Sequence, residues 1–354
     1  MEILCKIKPL ESNRRRKLMR ISSRILRKSR TFFMGLLTIL FFFSLQAPGI
    51  VDGAQVKKPS AVKKQVTQPK KAKHSVKKKL RPQPRGIQAK AAYCVNLRSN
   101  ETLHSTNADQ QLPVASLSKL VTAMVALDHF PMDRKLEVPE NIKKVPKSVV
   151  GLKPGDELTV KDLLHGLLIG SGNDCAETLA CAFPGGKKSF VAAMNKKARS
   201  LGMRKTLFYT PSGLDQISVN GSEEPDVDSN VSTAREIASI ARAAFSNPTI
   251  RAVSLKKSHI LASEKEKNGY PVRTTNKLLR DNLPLIGGKT GYTSRAGHCL
   301  ATEFTPGHNA FLIVVLGSPN HFRDTRLLYH KALKETSGAK GPINSKTARV
   351  ASQD

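Results

Sequence analysis

The chain has 354 residues and a formal net charge of +32, from 59 Lys+Arg against 27 Asp+Glu, and is long enough for one large domain or two ordinary ones. The charge is uneven: residues 1–91 hold 24 basic and 3 acidic residues, while the other 263 carry only +11. A nucleic-acid-binding module spreads its basic residues through a folded domain, so charge concentrated in a tail points away from that class. Cys5, Cys94, Cys175, Cys181 and Cys299 show no C-x-x-C or metal-ligand spacing. Buried free thiols are the default expectation, and Cys175 and Cys181, six apart on one predicted helix, point away from each other.

Residues 1–30 form a basic lead containing Arg14-Arg15-Arg16-Lys17. Phe32 to Leu45 is strongly apolar and sits inside a charge-free run from Thr31 to Val51. Residues 31–53 fit a signal peptide, with a small-residue cleavage site at Val51-x-Gly53, or an uncleaved signal-anchor. Translation from Met19 would give a lead of more ordinary length. Nine basic residues precede the apolar core within twenty positions and four follow it, so the N-terminus should stay cytoplasmic and the remainder be exported. Residues 54–91, with 13 basic residues and few large apolar ones, should form a disordered Lys/Pro-rich tether. Its alternative role is contact with anionic headgroups or wall polymers.

A catalytic domain is expected over residues 92–336, followed by a loose tail, 337–354. Ala92–Leu97 alternates as a strand, and Glu101–His104 returns as its hairpin partner after Ser99-Asn100. Leu117, Leu120, Val121, Met124 and Val125 fall at i, i+3, i+4, i+7 and i+8, which predicts a helix starting at Ser116. After the turn Lys153-Pro-Gly-Asp156, Thr159-x-x-Asp162 opens a helix stopped at Gly170. Asp174-x-x-Glu177 is expected to cap the next. Phe190, Met194, Ala198 and Leu201 line another helix ending at Gly202, and Thr233-x-x-Glu236 opens one that runs to Phe245. The period then changes to that of strands at 286–293, 298–304 and 310–317, before a last helix carrying Leu328 and Leu333. The 310–317 strand is expected beside the strand carrying Lys289.

Three short motifs carry chemistry. One helical turn separates Ser116 from Lys119, placing an amine beneath a hydroxyl beside the free N–H groups of a helix start. Ser-x-x-Lys occurs five times here, and a capping serine with a snorkelling lysine explains an isolated copy equally well. Only the copy at Ser116 opens a long helix with an apolar face. Ser171-Gly-Asn173 lies in an interhelical loop, and Lys289-Thr-Gly291, the single Lys-Ser/Thr-Gly of the chain, lies on a predicted strand. Each alone is ordinary structure; in this order on these elements they form a set.

With that set the chain resembles the active-site serine penicillin-recognising family, most closely its D-alanyl-D-alanine carboxypeptidases. The likeness runs from about Ala92 to Leu333 and includes Pro211-Ser-Gly-Leu-Asp215, Ser232-Thr-Ala-Arg235 and Thr275-Asn-Lys-Leu-Leu279. It implies an α/β (α+β) fold with an antiparallel sheet of about five strands flanked by helices, a helical subdomain and no C-terminal β-rich domain. It also implies an exported serine peptidase acting on peptidoglycan stem peptides ending in D-Ala-D-Ala, inhibited by β-lactams, needing no cofactor or metal and binding no nucleic acid. Ser116 would be the nucleophile, Lys119 its base and Ser171 a proton relay. Asn173, Lys289, Thr290 and Gly291 would hold substrate, and the N–H groups of Ser116 and Tyr292 would form the oxyanion hole. Arg323 matches an arginine placed to bind the substrate carboxylate, while its ordinary reading is a surface partner for Asp324. Where the commonest β-lactamases of that family carry a loop glutamate between the second and third motifs, this chain has Pro211-Ser-Gly-Leu-Asp215 with no Glu-x-x-x-Asn pattern nearby, which argues against fast β-lactam hydrolysis. The alternatives are a DD-endopeptidase or weak β-lactamase using the same serine, and a non-catalytic polybasic envelope-binding protein.

Overall fold

The computed structural model describes residues 86–146, 148–218 and 226–338. The basic lead, the apolar segment, most of the tether and the end of the tail lie outside the described residues. A five-stranded antiparallel sheet organises the rest: β1 (Ala91–Asn96), β2 (Thr102–Thr106), β3 (Leu285–Thr293), β4 (Gly297–Phe304) and β5 (Phe311–Ser318), in the order β3-β4-β5-β1-β2. The first strand of the domain therefore inserts beside the last, with Tyr93 opposite Val314.

Both faces of this sheet are covered. Alternate residues of a strand point to opposite sides. Ala92 and Cys94 of β1 and Phe311, Ile313 and Val315 of β5 accordingly join one buried cluster, with Leu328, Tyr329 and Ala332 of α7 (His321–Gly338). Their neighbours Tyr93, Val95, Leu312, Val314 and Leu316 join the larger cluster on the other face. That second core is built from α1 (Lys119–His129), α2 (Val160–Ile169), α3 (Asn173–Cys181), α4 (Gly186–Ser200), α5 (Ala234–Ser246) and α6 (Pro248–Ser254). Cys94, Cys175, Cys181 and Cys299 are free thiols.

Side-chain caps start three of these helices, among them α2 and α5. Thr159 accepts from Asp162 N at the start of α2, and Thr233 from Glu236 N at the start of α5, each satisfying an otherwise orphaned donor. Two expectations are corrected. Asp174 does not cap α3; it lies inside that helix, and its carboxylate accepts from the N–H groups of Val150, Gly151 and Leu152 at 2.8–3.1 Å. Three backbone donors of a part-buried loop outcompete a cap, because a carboxylate bonds N–H groups strongly and buried donors need an acceptor. Strand β5 does not neighbour β3: β4 lies between them, since short hairpins pair the three strands in sequence.

Candidate active site

The chain enters the site through Val114 and Ala115, whose φ of +48° is a left-handed value costly for a residue with a Cβ. A 3₁₀ turn, Ala115–Ser118, then runs into α1. This leaves Ser116 half-buried at the head of the helix and drives Lys119, one turn later, fully into the core at 0 % exposure. Lys119 Nζ donates to Ser116 Oγ at 2.8 Å, Asn173 Oδ1 at 2.7 Å and the Ser212 carbonyl at 2.5 Å. Burial pushes its pKa down to about 7, against the opposing pull of Cys175, Glu177 and Asp174.

The second motif arrives from the end of α2. Gly170 closes the helix, Ser171 adopts φ +60°, and Asn173 begins α3. Ser171 and Asn173 are both buried, and Asn173 Nδ2 donates to the Pro146 carbonyl at 3.1 Å. The third motif lies on β3. Lys289 is 1 % exposed and donates to Ser171 Oγ and its neighbour's carbonyl, Thr290 O, both at 2.8 Å. Burial first, and then the charge of Lys119, hold its pKa well below that of an ordinary lysine. Two buried amines thus share one pocket, each facing a serine hydroxyl. Thr290 Oγ1 lies 2.5 Å from Thr275 Oγ1, which ties the strand to the segment before it.

Gly291 is required by contact. A Cβ there would lie 3.0 Å from Ser116 N and 3.1 Å from Val114 O, so the strand backbone passes directly against the head of the Ser116 turn. Tyr292 follows with an exposed ring, 4.5 Å centroid-to-centroid from His298, which stacks in turn on His321. Arg323, near the start of α7, donates from Nη1 to the Gly86 carbonyl at 3.0 Å and to Asp324 Oδ1 at 3.1 Å.

The structure brings Ser116, Lys119, Ser171, Asn173, Lys289, Thr290 and Gly291 together, and it adds groups that sequence reasoning missed. The Ser212 carbonyl is one of three acceptors around Lys119 and also accepts from Ser116 Oγ at 3.4 Å. Its loop is fixed from behind: Asn230 accepts from Tyr209 N and Thr210 N and donates to Thr210 O and Ser118 Oγ, while Thr122 donates to Pro211 O. Gly213, at φ +82°, lets the loop press against Ala115, whose carbonyl a Cβ would meet at 2.1 Å. The sequence signal was the turn composition of Pro211-Ser-Gly-Leu-Asp215, which marks a tight loop without saying what its carbonyls face.

Comparison with known proteins gives a consistent result. The family model for D-alanyl-D-alanine carboxypeptidase matches residues 77–320. A D-alanyl-D-alanine endopeptidase of Escherichia coli (strain K12) is 37% identical over 250 residues, covering 68% of this chain and 76% of that one. The crystal structure of D-alanyl-D-alanine carboxypeptidase from Mycobacterium tuberculosis H37Rv superposes with TM-score 0.63 at 30% identity, over 72% of this chain and 93% of that one. Penicillin-binding protein D2 of Listeria monocytogenes in its cefotaxime-bound form gives TM-score 0.60 at 30% identity, over 72% and 100% of the two chains.

Proposed function

The chain belongs to the D-alanyl-D-alanine carboxypeptidase family and is a serine DD-peptidase of the penicillin-binding type; from that premise we propose that Ser116 is its acylated nucleophile. The observation that carries this assignment is the 2.8 Å bond from a fully buried lysine amine to the Ser116 hydroxyl. A lysine with pKa about 7 is neutral in a large fraction of molecules near pH 7, so Lys119 takes the proton as Ser116 Oγ attacks the carbonyl of the penultimate D-alanine. The tetrahedral oxyanion faces the N–H groups of Ser116 and Tyr292, a role supported by the close approach of Gly291, the residue before Tyr292, to Ser116 N. Collapse breaks the C–N bond, and Ser171 gives its hydroxyl proton to the departing amine while taking one from Lys289 Nζ, which donates to it. In deacylation Lys119 returns its proton to Ser116 and the attacking water restores that of Lys289. Asn173 and Thr290 hold the substrate backbone and its terminal carboxylate, and water then hydrolyses the ester. β-Lactams enter by the same attack and leave Ser116 acylated. Labelling with a fluorescent penicillin, with the modified peptide identified by mass, tests the assignment: wild type should carry the label on Ser116 and Ser116→Ala should carry none. Equal labelling of both would remove it.

Cutting a cross-link between stem peptides is a second reading, favoured by the 37% identical relative described as an endopeptidase. The engagement of the Arg323 guanidinium by Gly86 O and Asp324 bears on the same choice, because a reader of a free carboxylate would have to exchange those partners. A peptide ending in free D-Ala-D-Ala compared with its C-terminal amide separates the readings. Strong preference for the acid, lost in Arg323→Ala, supports carboxypeptidase action; equal cleavage supports the endopeptidase. The enzyme works in the cell envelope, exported by residues 31–53 with the polybasic tether on the outer side.

A further inference from the structure

A cavity of about 690 Å³, within the roughly 300–1,000 Å³ span of ligand sites, adjoins the loop whose Ser212 carbonyl faces Lys119. One end is lined by Ser212 and Pro146. These are the residues whose carbonyls accept from Lys119 and Asn173, so the cavity begins one residue's thickness from the reacting atoms. Its lining also includes Lys144, at the end of the 3₁₀ turn Glu140–Lys144, and Lys187 and Lys188 in the first turn of α4. Its walls carry three lysines against the carboxylates of Glu177 and Asp215. Both carboxylates are engaged within the protein: Glu177 pairs with Lys187 at 2.8 Å, and Asp215 accepts from Ser229 Oγ at 2.7 Å. Lys144 and Lys188 have no ion-pair partner among the described residues.

The position of the cavity fixes which part of a substrate it meets. On the proposed reading, the leaving amine departs toward Ser171 and Lys289, on the β3 side of Ser116. On that reading the acyl portion passes the Ser212 loop, whose carbonyl accepts from Lys119, and enters the cavity. We propose that this cavity is the acyl-side subsite, and that Lys144 and Lys188 take a free carboxylate carried by the stem peptide upstream of the scissile bond. This rests on Ser116 as the nucleophile. The subsite is common to carboxypeptidase and endopeptidase action, because the two differ only in the leaving group. It also accounts for positive charge beside a site already holding two buried amines: a second anionic contact point tethers an anionic peptide without adding charge at the reacting centre.

Two synthetic stem peptides test it, identical through D-Ala-D-Ala, one with a free side-chain carboxylate on the residues preceding them and the other with the carboxamide. Wild type should favour the carboxylate peptide by about tenfold in kcat/KM at low salt, the size expected for a charge-assisted contact, with the preference shrinking as salt is raised. Lys144→Ala/Lys188→Ala should bring the ratio close to one, and Lys144→Glu/Lys188→Glu should invert it. Expressing the result as a ratio within each variant cancels any general loss of fold or activity. A wild-type ratio near one, or a preference that survives in the double alanine variant, overturns the subsite. Penicillin labelling of wild type reports separately on Ser116: label without carboxylate preference sinks the subsite alone, whereas absence of label sinks the mechanism it rests on.

Discussion

In the proposed mechanism, burial is what turns Lys119 into a base. An exposed lysine near pKa 10.5 is protonated at neutral pH; full burial removes water from the ammonium and brings the value to about 7. The neutral amine is the acceptor form, so Ser116 acylation should fall as pH drops through 7, approaching tenfold per pH unit in the acid limb. Stopped-flow penicillin acylation between pH 5 and 9 reads this directly, and a flat profile would take the base role away from Lys119. Lys119→Arg should acylate at least a hundredfold more slowly across that range, because a guanidinium stays protonated throughout. At Gly291 the constraint is steric. Gly291→Ala places a methyl 3.0 Å from Ser116 N, so the strand must retreat from the nucleophile. Acylation should drop about 10–100-fold, the range for losing an oxyanion donor's alignment, with the melting temperature little changed. A parallel collapse in stability would show that the contact serves folding instead.

At the level of elements, legibility followed the range of the interaction. Thr159 with Asp162, Thr233 with Glu236 and Ser116 with Lys119 are pairs one helical turn apart, and local spacing reveals them. Asp174 carries the same local spacing, yet its partners lie 22–24 residues upstream, where no pattern links them. The Ser212 carbonyl was invisible for another reason: every residue has a carbonyl, so only the folded loop shows which one meets Lys119. The pairing of β1 with β5 was likewise hidden, because strands separated by more than 200 residues share no turn chemistry. These long-range ties should be measurable. Asp174→Ala strands three N–H groups of the 150–152 loop and should destabilise the domain by about 2–4 kcal/mol, read by urea denaturation. It should also slow acylation, since that loop packs on Gly172 between Ser171 and Asn173. Loss of stability below 1 kcal/mol would mean that the carboxylate is replaceable.

For the whole molecule, the decisive fact is that both faces of the sheet are covered by helices drawn from residues 86–338. A core closed in this way needs nothing from the basic N-terminal segment, so a protein comprising residues 86–338 should fold, unfold in one cooperative transition and label with penicillin at the full-length rate. The N-terminal segment is then free to serve location. Among the described residues no helix is long and apolar enough to cross a membrane; on the proposed reading residues 31–53 carry export. Nine basic residues before the apolar core against four after it bias the N-terminus toward the cytoplasm, because positively charged flanks resist translocation. A phosphatase reporter active only outside the cytoplasm, fused after Leu333, should therefore be active. Replacing Arg14, Arg15, Arg16, Lys17 and Arg20 with Gln should lower that activity by reducing the bias to four against four. Activity from a cytoplasm-only reporter at the same position would reverse the topology, and with it the access of Ser116 to cell-wall peptides.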